Sequence, residues 1–156
     1  MTITEAKQEV RTFIETELGV TTIFQNQNAN RPSLPYVTVL ASSSARVGEP
    51  DRIPPTEDHG EIVRQHRTFM CSIQYHGENA VEHLESLQMK FRESFKFDGG
   101  VTLLDDEDIA DVAEVFDRRF EPRALYDARF AYTLETENED VTYIEDVQYE
   151  FKESEE

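Results

Sequence analysis

Thr68-Phe69-Met70-Cys71-Ser72-Ile73-Gln74-Tyr75 places Phe69, Cys71, Ile73 and Tyr75 on one parity and Thr68, Met70, Ser72 and Gln74 on the other. Successive side chains of a strand point to opposite faces, so the alternation predicts a strand with one buried face, running from Glu61 to Tyr75. Phe120 to Leu134 reads the same way, with Ala124, Tyr126, Ala128, Phe130 and Tyr132 sharing a parity. After a polar turn at Thr136–Asp140, a last strand is predicted over Val141–Phe151, where Val141, Tyr143, Val147, Tyr149 and Phe151 face one way. Long strands joined by tight turns imply antiparallel pairing.

Working outward, the apolar period changes from two to 3.6 at two places. Ala6, Val10, Phe13, Ile14 and Leu18 predict a helix from Thr4 to Leu18, with Thr4 as its cap, Glu5 at the positive end of the dipole and Gly19 as its stop. Ala80, Leu84, Leu87, Phe91 and Phe95 predict a second helix over Ala80–Phe95, capped by Asn79 and followed by the turn Asp98-Gly99-Gly100. Shorter β-prone runs lie at Val20–Phe24, Tyr36–Ala41, Val101–Leu104 and Ile109–Val115, the last two separated by the acidic turn Asp105-Asp106-Glu107-Asp108. Pro32 and Pro35 impose an extended lead-in before Tyr36. Ser42 to Gly60, with three prolines and two glycines, shows neither period and is expected to be a long exposed loop and a contact element. The fold class expected is α+β, a mostly antiparallel sheet with two helices packed on one face. Residues 1–152 form a single domain in this reading, and 153–156 a frayed acidic tail.

The 156 residues suffice to bury about 70% of the surface of the unfolded chain without a staple. With one cysteine, Cys71, neither an intrachain disulfide nor a multi-cysteine metal site is available. The first residues, MTITEAKQEV, lack the basic and apolar regions of a signal peptide, and no apolar run approaches the roughly 18 residues of a membrane span. The protein is therefore expected to be made and used in water. Its 33 acidic and 15 basic side chains give a formal net charge of -18, which argues against direct nucleic-acid binding. Eleven arginines against four lysines, with carboxylates spread along the chain, fit either a protein hydrated in concentrated salt or simply a soluble acidic surface.

Catalytic and cofactor chemistry finds little support. The six glycines build no phosphate-binding loop. His59, His66, His76 and His83 form no two-ligand helical pair, so no metal is expected. Cys71 alternates with apolar neighbours and reads as a buried, inert thiol. The 105–108 acidic run lacks the spacing of a calcium loop and reads as a solvated turn. No catalytic, cofactor-binding or metal-ligating residue is assigned, and a non-enzymatic role is expected. What remains suits association: Arg64, Arg67, Arg123 and Arg129 within strands, and Arg46, Glu49, Asp51 and Arg52 within the long loop, are candidate interface residues. The competing reading of those arginines is a salt-bridged sheet surface.

Several segments, in order, resemble the tail-terminator or neck-terminator proteins of tailed phages and related tailed viruses, with haloarchaeal hosts as one reading of the charge. The resemblance lies in Arg31-Pro32-Ser33-Leu34-Pro35-Tyr36-Val37-Thr38-Val39, the strand end Ile73-Gln74-Tyr75-His76-Gly77, Phe120-Glu121-Pro122-Arg123-Ala124, and Tyr143-Ile144-Glu145-Asp146-Val147. It implies an α+β subunit of a ring, expected to be hexameric, that caps the head-proximal end of the tail tube and joins it to the neck. It also implies a place in the virion after synthesis in the host cytoplasm. Implied partners are other copies, the tail-tube protein and neck or head-completion proteins, with DNA passing an acidic lumen unbound, no membrane and no cofactor. The contacting loops would be Arg46–Gly60 and Asp98–Asp108. Alternatives are a head-completion or minor tail protein of the same particle, or, in a different class, a small ligand-binding domain or enzyme with a carboxylate-rich pocket.

Overall fold

A computed structural model describes residues 1–28, 30–93, 100–116 and 119–140. The expected strand Val141–Phe151, the acidic tail, the 94–95 end of the second helix and the 98–99 part of the turn lie outside the described residues. In chain order the elements are α1 (Ile3–Leu18), β1 (Thr21–Phe24), β2 (Tyr36–Ala41), β3 (Ala45–Arg46), β4 (Asp51–Ile53) and β5 (Glu61–His76). They continue with α2 (Ala80–Glu93), β6 (Thr102–Asp106), β7 (Ala110–Asp111), β8 (Glu114–Phe116), β9 (Arg119–Glu121) and β10 (Arg123–Asn138).

The main sheet runs β1-β2-β5-β10-β6, with β3 and β4 added along β5 and β7 along β10. Its spine is the antiparallel pair of β5 and β10, in register from Arg123 opposite His76 to Asn138 opposite Glu61. All pairings are antiparallel except β1 with β2, which run parallel because the polar 25–35 connection carries the chain back to the end where β1 began. β8 and β9 form a separate hairpin.

α+β architecture is thus observed, with local differences from the sequence reading. α1 is capped by Thr2 rather than Thr4, because Thr2 and Glu5 form a reciprocal capping box. Gly19 ends the helix at φ 63, with its N–H donating to the Glu15 carbonyl. Asn79 has φ 55 and precedes α2 in the left-handed region, its carbonyl accepting from the His83 N–H. The 42–60 segment is not all loop: β3 and β4 lie along the lower half of β5. The predicted strand at 120–134 is cut at Pro122, which has no N–H for a ladder, and β10 then continues to Asn138. Asp105 and Asp106 lie in β6 rather than a solvated turn.

One face of the sheet carries the core. Val37, Val39, Phe69, Cys71, Ile73, Tyr75, Ala124, Tyr126, Ala128 and Phe130 are all buried there against Ala6, Val10 and Ile14 of α1 and Ala80, Leu84, Leu87 and Phe91 of α2. The helices meet through stacked Phe13 and Phe91, ring centroids 5.1 Å apart, and Phe91 also sits edge-on to Phe130 at 5.3 Å. Each such fully buried large side chain stabilises the fold by about 1.5–3 kcal/mol. Beside the core, the Tyr126 hydroxyl donates to Asp106 Oδ2 at 2.6 Å, and Gln88 and Arg92 of α2 donate to the same carboxylate. Burial alone would raise the Asp106 pKa, but those hydrogen bonds hold it below its ordinary value. Burial, reinforced by Asp106, raises that of Tyr126. The opposite face, where Leu40 and Met70 are 46% and 39% exposed, has no described helix over it.

Candidate functional site

Strand register brings together three segments that the sequence holds far apart. Tyr36 opens β2 opposite His76, the last residue of β5, and His76 in turn lies opposite Arg123, the first residue of β10. The 31–35 lead-in and the β8–β9 hairpin converge on the same end of the sheet, where Arg31 and Glu121 meet His76 and Arg123.

Glu121 is the centre of this cluster. It is 7% exposed and accepts a hydrogen bond from Arg31. Arg123 Nε lies 3.6 Å from Glu121 Oε1, and so does His76 Nδ1. The hydrogen bond from Arg31 holds the Glu121 carboxyl below its ordinary pKa against the opposing effect of burial, and Arg123 adds to the depression. The His76 imidazole is pushed down by burial first and by Arg123 next, with Glu121 pulling the other way. Its ring stacks on Tyr36, centroids 4.4 Å apart and 7° from parallel, and the Arg31 guanidinium carbon lies 5.6 Å from the Tyr36 centroid. Gly77 follows with φ 146, and a Cβ there would stand 2.9 Å from Pro35 Cβ, so only glycine suits the position. Its N–H donates to the Pro122 carbonyl at 3.1 Å, fastening β5 to the break between β9 and β10.

An open cleft of about 1030 Å³ lies over this end of the sheet. Its lining comes from Arg31 to Pro35, from Arg119 to Pro122 with Glu121 among them, and from the passage of β5 into α2 with Glu78, Tyr75 and His83. Those last two rings stack at 4.6 Å. Leu34 and Phe120 are 52% and 69% exposed on the rim.

Chemically the cluster is built for holding rather than reacting. His76 Nε2 is 3.2 Å from Thr38 Oγ1, so Thr38, His76 and Glu121 lie in the order of a nucleophile, a base and its orienting acid. The 3.6 Å gap between His76 Nδ1 and Glu121 is too long for the orienting hydrogen bond, however, and Nδ1 has no hydrogen-bond partner among the described residues. Glu121 is instead committed to Arg31. Cys71 is fully buried, its thiol pushed up to about 12 by burial, which leaves it protonated. No group of three His, Cys, Asp or Glu among the described residues is arranged to hold a metal ion, and no described helix is long and apolar enough to cross a membrane.

The residues singled out in the sequence divide between places. Arg46, Glu49, Asp51, Arg52, Arg64 and Arg67 gather on the lower half of β5 and the strands along it: Arg46 opposite Arg67, Asp51 opposite Arg64. Arg52 pairs with Glu61 at 3.2 Å, Arg64 with Glu135, and Arg67 Nε donates to Ser44 Oγ. Arg129 pairs with Asp105 on the helix-free face, and Arg123 stands alone of the set in the Glu121 cluster. Arg31, His76, Arg119, Phe120 and Glu121 were not among those candidates. One signal did point to them: an acid followed by proline, Glu121-Pro122, interrupting an otherwise alternating strand.

A family model described as phage neck terminator protein matches residues 5–155. Among curated proteins no relative matches this chain.

Proposed function

Since the chain belongs to the phage neck terminator protein family, a structural component of the virion neck, we propose that it acts as a ring, hexameric in this reading, that caps the head-proximal end of the tail tube and joins it to the neck. The family match over nearly the whole chain carries this reading. The site chemistry supports it, because the most buried polar cluster ties three chain segments together without presenting a poised nucleophile. Other copies, the tail-tube protein and head-completion proteins are the proposed partners. Contacts fall to the strands along β5 with Arg46, Glu49, Asp51, Arg52, Arg64 and Arg67, and to the end of the sheet that holds Arg123. DNA passes through the lumen without sticking, since a net charge of -18 repels phosphate.

Negative-stain imaging of the chain alone and with its tail-tube protein tests the reading. Rings of uniform diameter at the tube end are expected. A protein that stays monomeric and ignores both tube and neck proteins overturns it. The same charge supports adaptation to concentrated salt: thermal melts should rise from low to molar potassium chloride as self-repulsion is screened, and equal melts in both remove the idea.

A further inference from the structure

In a chain with 33 carboxylates and 15 basic side chains, an arginine has acids in excess to pair with. Arg46 of β3 and Arg67 of β5 depart from that expectation. They lie directly opposite one another, and cross-strand partners share a face, so the two side chains leave the sheet on the same side. Among the described residues no carboxylate forms an ion pair with either, Glu49 three residues beyond Arg46 included, whereas the neighbouring Arg52 and Arg64 are paired with Glu61 and Glu135. Like charges directly opposite destabilise a sheet. Arg67 is nevertheless held in place: its Nε donates to Ser44 Oγ, which also accepts from the Tyr132 hydroxyl at 2.9 Å. Arg46 is exposed beside it and is followed by Val47, 49% exposed. The fold gains no ion pair from these two cations, and a carboxylate brought from outside the chain would supply one.

α2 carries acids in the matching arrangement. Its Ala80, Leu84, Leu87 and Phe91 are buried against the sheet, which turns exposed Glu82 and Glu85 to the opposite side. Three residues apart on a helix, their Cβ atoms stand about 5–6 Å from each other. That is close to the about 4.5–5.5 Å between Cβ atoms of residues directly opposite on paired strands, the spacing of Arg46 and Arg67. Neither glutamate has an ion pair or side-chain hydrogen bond among the described residues, whereas Glu5 and Glu15 of α1 and Glu93 of α2 are each bonded at or within their own helix. Around the two lie exposed Glu78 and Ser86, Met89 at 54% exposed, and Lys90, which is engaged by Glu93. Facing away from the sheet, Glu82 and Glu85 cannot reach Arg46 and Arg67 of the same chain. A second copy brings both halves of the match, and elsewhere two such acidic surfaces repel.

We infer that the Arg46–Arg67 pair of one copy receives Glu82 and Glu85 on α2 of a second copy, with exposed Val47 and Met89 drawn into the same contact. Two different patches then meet, a head-to-tail contact that closes into a ring when the rotation per copy allows it. This inference rests on the ring reading above and names the contact that would build it.

Full-length Arg46→Glu and Glu85→Arg copies, each prepared separately, test it by sedimentation velocity. Arg46→Glu sets a carboxylate opposite Arg67, so its far-UV melt should be no lower than that of the wild type, while its assembly weakens about tenfold or more. Glu85→Arg alone is expected to weaken assembly to a similar degree. An equimolar mixture should recover most of the loss, because each altered β3 then meets an altered α2 and each unaltered β3 an unaltered α2. Arg46→Glu copies that assemble as the wild type does overturn the inference and leave the ring reading standing, and a mixture that recovers nothing does the same. Arg46→Glu that abolishes tail-tube binding while rings persist overturns it too, assigning the Arg46 surface to the tube. Wild-type copies that never assemble, alone or on the tube, remove both.

Discussion

The two halves of the β5/β10 ribbon share one ladder and differ in almost everything else. From Phe69 to His76, paired with Phe130 to Arg123, alternate side chains are buried under α1 and α2. From Glu61 to Arg67, paired with Asn138 to Tyr132, no side chain of β5 is buried, and β10 ends in exposed Glu135, Thr136, Glu137 and Asn138. Backbone pairing is therefore not what separates them. The upper half is stabilised by apolar burial, whereas the lower half is held by its ladder, by β3 and β4, and by exposed ion pairs such as Arg64 with Glu135.

Core truncation should break the comparison most sharply. Phe130→Ala in the upper half is expected to lose about 3–5 kcal/mol, while Val63→Ala in the lower half should lose less than about 1 kcal/mol, both by urea denaturation. Near-equal losses would mean that the lower half is packed after all. Next comes Tyr126→Phe, which strips Asp106 of its 2.6 Å hydrogen bond and should cost about 1.5–3 kcal/mol in the same assay. Gly77→Ala forces a side chain towards Pro35 in a conformation reserved for glycine and should cost about 1–3 kcal/mol, seen as a lower Tm.

A smaller effect distinguishes the halves by pH. His76 has a pKa lowered in the fold, so the unfolded chain binds more protons below pH 6.5 and stability falls as pH drops from there. His76→Gln should flatten the decline between pH 6.5 and 5.5 relative to the wild type, read as Tm against pH. Glu121, also depressed, adds its loss only below about pH 4.5. Smallest of all, Arg64→Ala on the lower half should shift stability by under about 1 kcal/mol, and that shift should vanish in molar salt.

Much of the upper half was legible in the sequence because its periods are imposed by burial. Phe69, Cys71, Ile73 and Tyr75 alternate since one face is covered, and Ala80, Leu84, Leu87 and Phe91 recur since one stripe is. The parallel placement of β1 was not legible, because the Gln25–Asn30 stretch has no period to show where the chain turns back. β3 and β4 escaped for a related reason: at two and three residues they are too short to display alternation, and they exist because β5 offers an open edge. Glu121 was hidden more deeply. Its burial depends on Arg31, ninety residues away in sequence, and only strand register makes them neighbours.

The single ladder from Asn138 to Arg123 has a geometric consequence for the uncovered half. Sliding β10 past β5 by one residue would turn Tyr126, Ala128 and Phe130 outward, so the covered half forbids it. The apolar layer thereby acts as a gauge for a region that it enters at Tyr132 and Leu134 and leaves before exposed Glu135. It locks the outer arm's reach at one setting out of steps of about 3.3 Å, so any surface carried on that arm keeps a fixed distance from the core.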